Sequence, residues 1–192
     1  LIVALALLGA GSMNALAETV TYTVASNTSV TATGVAPTNS SVSYTQTYST
    51  KEQMTKGNSA TLTLNGYTGN KITGIVLNMK SNKKDGSGTF SAVAGTTSIA
   101  AISTATTFNK WYNNTAYSDS YKDITVTLSN SSYVIQTDET VVITIAATVN
   151  SLYIHSYTIT YEAGSQETSV SLEQKLFGVT SVASNPTSIA KT

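Results

Sequence analysis

Apolar and polar residues take turns along most of this chain. In "TVTYTVAS" Val20, Tyr22 and Val24 alternate with threonine and serine; "SVSYTQTYS" sets Val42 and Tyr44 on one face, and "ATLTLNG" pairs Leu62 with Leu64. Further on, "KITGIVLNMK" carries Ile75, Leu77 and Met79, "KDITVTLS" carries Ile124, Val126 and Leu128, and "TVVITIAATV" carries Val141, Ile143 and Ile145. Side chains on a strand point alternately to its two faces, so a period of two marks a strand with one face buried. No stretch between Thr19 and Tyr161 repeats at the helical period of about 3.6 residues. The runs recur every 8 to 15 residues or so, which predicts an all-β domain built as a two-layer antiparallel β-sandwich with negligible helix. Ile75, Leu77, Ile124, Val126, Ile143, Ile145 and Ile159 are the predicted core.

Between the runs lie Asn65-Gly66, Thr68-Gly69-Asn70, Asp85-Gly86 and Ala94-Gly95, residue types that accept the positive φ of tight turns. One long stretch, Thr104 to Ser120, fits no strand, and loops of that length in compact domains tend to carry function. The last alternating run, "SLYIHSYTITYE", contains the sole histidine. Tyr157, Ile159 and Tyr161 share one parity, but Leu152 and Ile154 have the other. A single inserted residue near His155–Ser156, a β-bulge, turns all five inward and leaves Tyr153 and His155 facing water. On this reading His155 is a surface residue at a bulge rather than a ligand or a base.

Composition narrows the chemistry. Charged residues are 10% of the 192, with 10 basic and 10 acidic side chains balanced to zero, against about 25% in ordinary domains. All the basic residues are lysine. Hydroxyls and amides supply the polar surface instead, and without a basic patch nucleic acid is an unfavourable partner. At 41% apolar the chain has enough material for a core without disulfides or metal, and it contains no cysteine. One histidine and no cysteine argue against a zinc or iron site. A serine–histidine–acid triad would have to use His155, and no G-x-S-x-G elbow occurs. Asp119, Asp123, Asp138, Glu139 and Glu162 fall in turns or at strand ends, where a solvated charge is expected rather than a glycosidase pair or an ordered calcium loop. The residues predict no enzyme, no metal and no cofactor.

The two ends read differently. Leu1–Ala10 is apolar but too short to cross a bilayer as a mature helix. Ala15-Leu16-Ala17 has the small-x-small form of a signal-peptidase site. Residues 1–17 therefore read as a signal peptide lacking its start. The mature chain is expected to begin at Glu18, to be secreted or displayed at the cell surface, and to have no membrane span. Residues 18–163 form the sandwich domain, and 164–192, where alternation lapses, read as a linker or the start of a further module. Export without cysteine fits a bacterial rather than a eukaryotic source.

Three segments carry a resemblance: the strand and lysine-rich turn "ITGIVLNMKSN", the hairpin "AGTTSIA", and the closing strand "LYIHSYTITYE". Over roughly Ser59 to Glu162 the chain resembles accessory modules of secreted proteins from gut anaerobic bacteria, jelly-roll sandwiches of the galactose-binding-like or carbohydrate-binding-like type. The resemblance implies a jelly-roll-like sandwich that accompanies another domain. The motifs are structural, so it transfers no functional residue.

The candidate binding residues lie in the long loop, with Phe108, Trp111, Tyr112, Tyr117 and Tyr121. An aromatic ring with a polar tip suits a sugar as well as a protein surface. Trp111, Tyr112, Tyr117 and Asn114 are the predicted ligand-binding residues, with Phe108 as an end plug. Trp111 serves equally well as a second plug. Because no cationic cluster converges on the loop, a neutral glycan is expected, with a surface protein as the other partner. The function expected is an exported, non-catalytic, monomeric binding module accessory to a downstream domain. The alternative is a structural or adhesive surface protein, a fibre subunit or adhesin repeat, assembling by strand exchange.

Overall fold

A computed structural model describes residues 16–47 and 50–164. The expected signal peptide, 1–17, lies outside the described residues save for Leu16 and Ala17, as does the expected linker or further module, 164–192, save for Gly164. Eleven strands follow one another: β1 (Glu18–Ser26), β2 (Ser29–Gly34), β3 (Ser41–Gln46), β4 (Gln53–Met54), β5 (Ser59–Asn65), β6 (Asn70–Ser81), β7 (Ser87–Ala94), β8 (Thr97–Thr107), β9 (Lys122–Thr125), β10 (Val141–Val149) and β11 (Leu152–Ala163). A four-residue helix, α1 (Phe108–Trp111), lies between β8 and β9. Among the described residues no helix is long and apolar enough to cross a membrane.

The strands form two antiparallel sheets, ordered β2-β1-β11-β6-β9, with β4 also on β11, and β3-β5-β10-β7-β8. The pairs β1·β11, β5·β10, β6·β9 and β7·β8 show how this arises. They are the successive rungs of one long antiparallel ribbon, whose tip is the β7–β8 hairpin. Gly95 turns that tip at φ +55°, where a side chain would also strike the Glu139 carboxylate. Rolling the ribbon up adds β11·β6 and β10·β7 and closes both sheets. That wrapping is the jelly roll, so the all-β sandwich expected from alternation is the fold.

The core lies between the sheets. Val20, Tyr22, Ile75, Leu77, Ile154 and Ile159 of the first sheet meet Leu62, Leu64, Phe90, Val141, Ile143 and Ile145 of the second, all buried. All the predicted core positions are buried, Ile124 and Val126 included. Outward positions are rich in threonine, whose hydroxyls meet across strands: Thr21 with Thr158 at 3.0 Å and Thr61 with Thr144 at 3.4 Å. A β-branched hydroxyl residue suits this place because it packs on the pleat and stays hydrated.

Two details depart from the sequence reading. β8 runs on to Thr107, past Thr104, and leaves its pairing with β7 between Ile102 and Thr106, so that 103–105 bulge from the edge. The remaining loop begins with α1, a single turn too short to register as a helical period.

Candidate functional site

The bulge expected at His155 is present. β11 pairs with β6 as Ile154↔Met79 and then Ser156↔Asn78, leaving His155 as the extra residue. Leu152, Ile154, Tyr157 and Ile159 all point into the core, while Tyr153 and His155 are half-buried on the outer face. A row of side chains crosses this face. Gln53 of β4 pairs with Tyr153, Tyr153 pairs with Lys80, and Tyr121, one residue before β9, stands beside Lys80 just past the last β6·β9 pair, Met79↔Lys122.

Lys80 stands between two rings, its Nζ 5.0 Å from the centroid of Tyr121 and 5.1 Å from that of Tyr153. Such an ammonium is held by the negative face of each ring. Beside the row Glu52 ties three segments together. Its backbone carbonyl accepts from the Ile154 N–H at 3.0 Å. One carboxylate oxygen accepts from the Tyr121 hydroxyl, and the other lies 2.9 Å from His155 Nδ1. The His155 and Tyr121 rings are 5.5 Å apart. Burial works to raise the pKa of Glu52; the hydrogen bonds from Tyr121 and His155, with the charges of His155 and Lys51, outweigh it and hold the carboxyl below its ordinary value. Burial first, and then the bond to Glu52, pushes the Tyr121 phenol well above its usual range.

Lys51, Glu52, Gln53, Lys80, Tyr121 and Tyr153 line an open depression of about 310 Å³. It offers two aromatic rings, an amide and two ammonium groups on a base of paired strands. Glu52 is engaged through both oxygens, so its part is to fix Tyr121 and His155 in place.

The loop residues expected to bind ligand are placed differently. Trp111 is only 7% exposed and belongs to the core cluster. Its indole N–H donates to the Thr106 carbonyl at 2.8 Å. It lines a hollow of about 270 Å³ between the edges of β8 and β9, with Ile102, Ile124 and Val126. An indole held this way closes the open side of the sandwich between its two edge strands and keeps little of its ring exposed. Tyr112 packs on Phe108 with centroids 4.9 Å apart and donates to the Ala116 carbonyl. Asn114 is exposed, and its Oδ1 accepts from the Ala116 N–H at 2.8 Å, shaping the loop.

Tyr117 alone of the four leans toward the row. It is 36% exposed, and its hydroxyl donates to the Ser81 carbonyl at 2.8 Å, next to Lys80 in the chain. Its phenol is raised by burial first, then by Asp119, Tyr112 and Tyr153. Glu52, Lys80 and Tyr153 were not candidates from the sequence. Parity opposite Met79 puts Lys80 outside, and the bulge puts Tyr153 outside; nothing in the sequence pattern brings Glu52 to His155 across 103 residues. Among protein-family models, curated proteins and solved structures, none matches this chain.

Proposed function

We propose that this domain is a non-catalytic binding module of an exported protein, and that the row Tyr121–Lys80–Tyr153 takes a glycan. The observation that carries the proposal is the row itself: two tyrosine rings with an ammonium between them, on the outer face of a sheet. Sugar rings pair an apolar face with peripheral hydroxyls, and the depression supplies aromatic surface beside Gln53, Lys51 and Lys80 as polar partners. Paired strands hold such groups more firmly than a loop does. This reading keeps a secreted or cell-surface location, a monomeric carbohydrate-binding-like accessory role and Tyr117 as a rim residue. It moves the platform from Trp111, Tyr112 and Asn114 to the sheet.

The fibre-subunit alternative needs a regular free strand edge for exchange. Of the two outer edges of the second sheet, β8 is broken by the bulge at 103–105, a device that discourages edge pairing, and β3, which is regular, is the edge left to such an exchange. The test is a glycan array followed by calorimetry. Tyr121→Ala and Tyr153→Ala are each expected to weaken binding by about 1–3 kcal/mol, by analogy with bases stacked on aromatics. A wild-type domain that retains no glycan, or two variants that bind like wild type, refutes the reading.

A further inference from the structure

We infer that the ligand of this row is an acidic glycan, one bearing a carboxylate, and that the Lys80 ammonium is its counter-ion. The inference rests on the binding reading above and specifies its ligand class. A loop platform at 104–120 would favour a neutral sugar, since lysines do not converge there. The row is elsewhere, and there they do. Lys51 and Lys80 line the depression against the single carboxylate of Glu52.

That carboxylate is already committed. Tyr121 donates to one oxygen and His155 faces the other at 2.9 Å. Lys80 forms no ion pair among the described residues, where the ion pairs are Lys71–Glu162 and His155–Glu52. Its Nζ is instead fixed between two rings. A tyrosine face holds a cation but accepts none of its N–H bonds in the manner of an anion, and no protein oxygen among the described residues accepts from Nζ, so its three donors are left to water or to a ligand. A ring carboxylate laid against Tyr153 or Tyr121 meets those donors in a charge-assisted hydrogen bond, while the sugar's apolar face covers the phenol. Lys51, exposed on the rim, adds long-range attraction that salt screens.

Calorimetry with two matched pairs tests this: oligogalacturonate against its methyl ester, and sialyllactose against lactose. In at least one pair the acid is expected to bind about tenfold more tightly than its neutral counterpart, an advantage that shrinks as salt is raised. Lys80→Met should erase the difference by weakening the acid far more than the neutral form, and Lys80→Arg should keep most of it. Both variants should melt like wild type, because Lys80 is an outward, half-buried side chain. Tyr153→Ala should weaken acid and neutral forms together. Equal affinity within both pairs, or a preference for the acid that survives in Lys80→Met, overturns the inference and leaves the binding reading standing. Failure of these sugars and of every glycan on the array to bind overturns both.

Discussion

Two regions of this molecule gather aromatic side chains, and they do opposite things with them. In the loop after β8, Phe108 and Trp111 sit on one short turn and go into the core, with Tyr112 folded over Phe108. On the outer face of the first sheet, Tyr121 and Tyr153 flank Lys80 and remain half-buried. A loop closing the open side of a sandwich between two edge strands must cover apolar surface that no sheet covers, and its largest side chains are recruited for that. A strand whose inner face is already filled has no such need, so an aromatic on its outer face stays at the surface, kept there by its neighbours. Density of aromatic residues along the sequence therefore points to the plug rather than to the proposed binding row.

Substitution can break this contrast. Trp111→Ala should cost about 3–5 kcal/mol of stability in urea denaturation, the range for emptying a buried indole site. A loss below about 1 kcal/mol would return Trp111 to the surface and dissolve the distinction. Ile145→Ala, in the middle of β10, sets the scale for the core between the sheets at about 2–5 kcal/mol. Tyr153→Ala should cost no more than about 1 kcal/mol, with its effect appearing in ligand binding instead.

The inward side of β11 offers a smaller test. Among the described residues, the fully buried Tyr157 hydroxyl has no partner in good hydrogen-bond geometry; its ring packs edge-on against Tyr44, whose own hydroxyl donates to Gln46 at 2.6 Å. Tyr157→Phe removes an unsatisfied group, so thermal melting should show a change within about 1 kcal/mol, in the direction of greater stability. A large loss would mean that this hydroxyl is bonded, to an internal water for example.

The smallest effect concerns pH. Glu52 titrates below its ordinary value in the folded protein, so its contribution to stability is present above that ordinary value and fades as pH falls through the folded one. Glu52→Gln should therefore flatten part of the acid limb of the stability profile. An unchanged limb would show that the tie among Tyr121, Glu52 and His155 contributes nothing.

Alternation made the fold legible. The predicted core residues are inside because a strand in a sandwich leaves its side chains only two directions. The same rule exposed the bulge at His155, through a clash of parity between Ile154 and Tyr157. The proposed binding row was harder to read, for two physical reasons. The row runs across strands, and its register depends on pairings such as Tyr153↔Lys80 that no local pattern encodes. Glu52 enters from a segment with no alternation at all, brought in by the two-residue pairing of β4 with β11. The short helix at Phe108 escaped because one turn has no period, so the sequence left Trp111 open between platform and plug.

The rolled ribbon has a consequence for how the domain is carried. Because β1 lies beside β11, with Glu18 opposite Tyr161, the first and last strands begin and end at one pole of the barrel-like body. Tyr153 is at the other end of β11, about 25 Å away at roughly 3.4 Å per residue. Polypeptide arriving at Glu18 and polypeptide leaving from Ala163 thus share a pole, and the Tyr121–Lys80–Tyr153 row lies toward the opposite one, on the outer face of the sheet. A ligand on the proposed row would thus sit clear of the points where the polypeptide enters and leaves the domain.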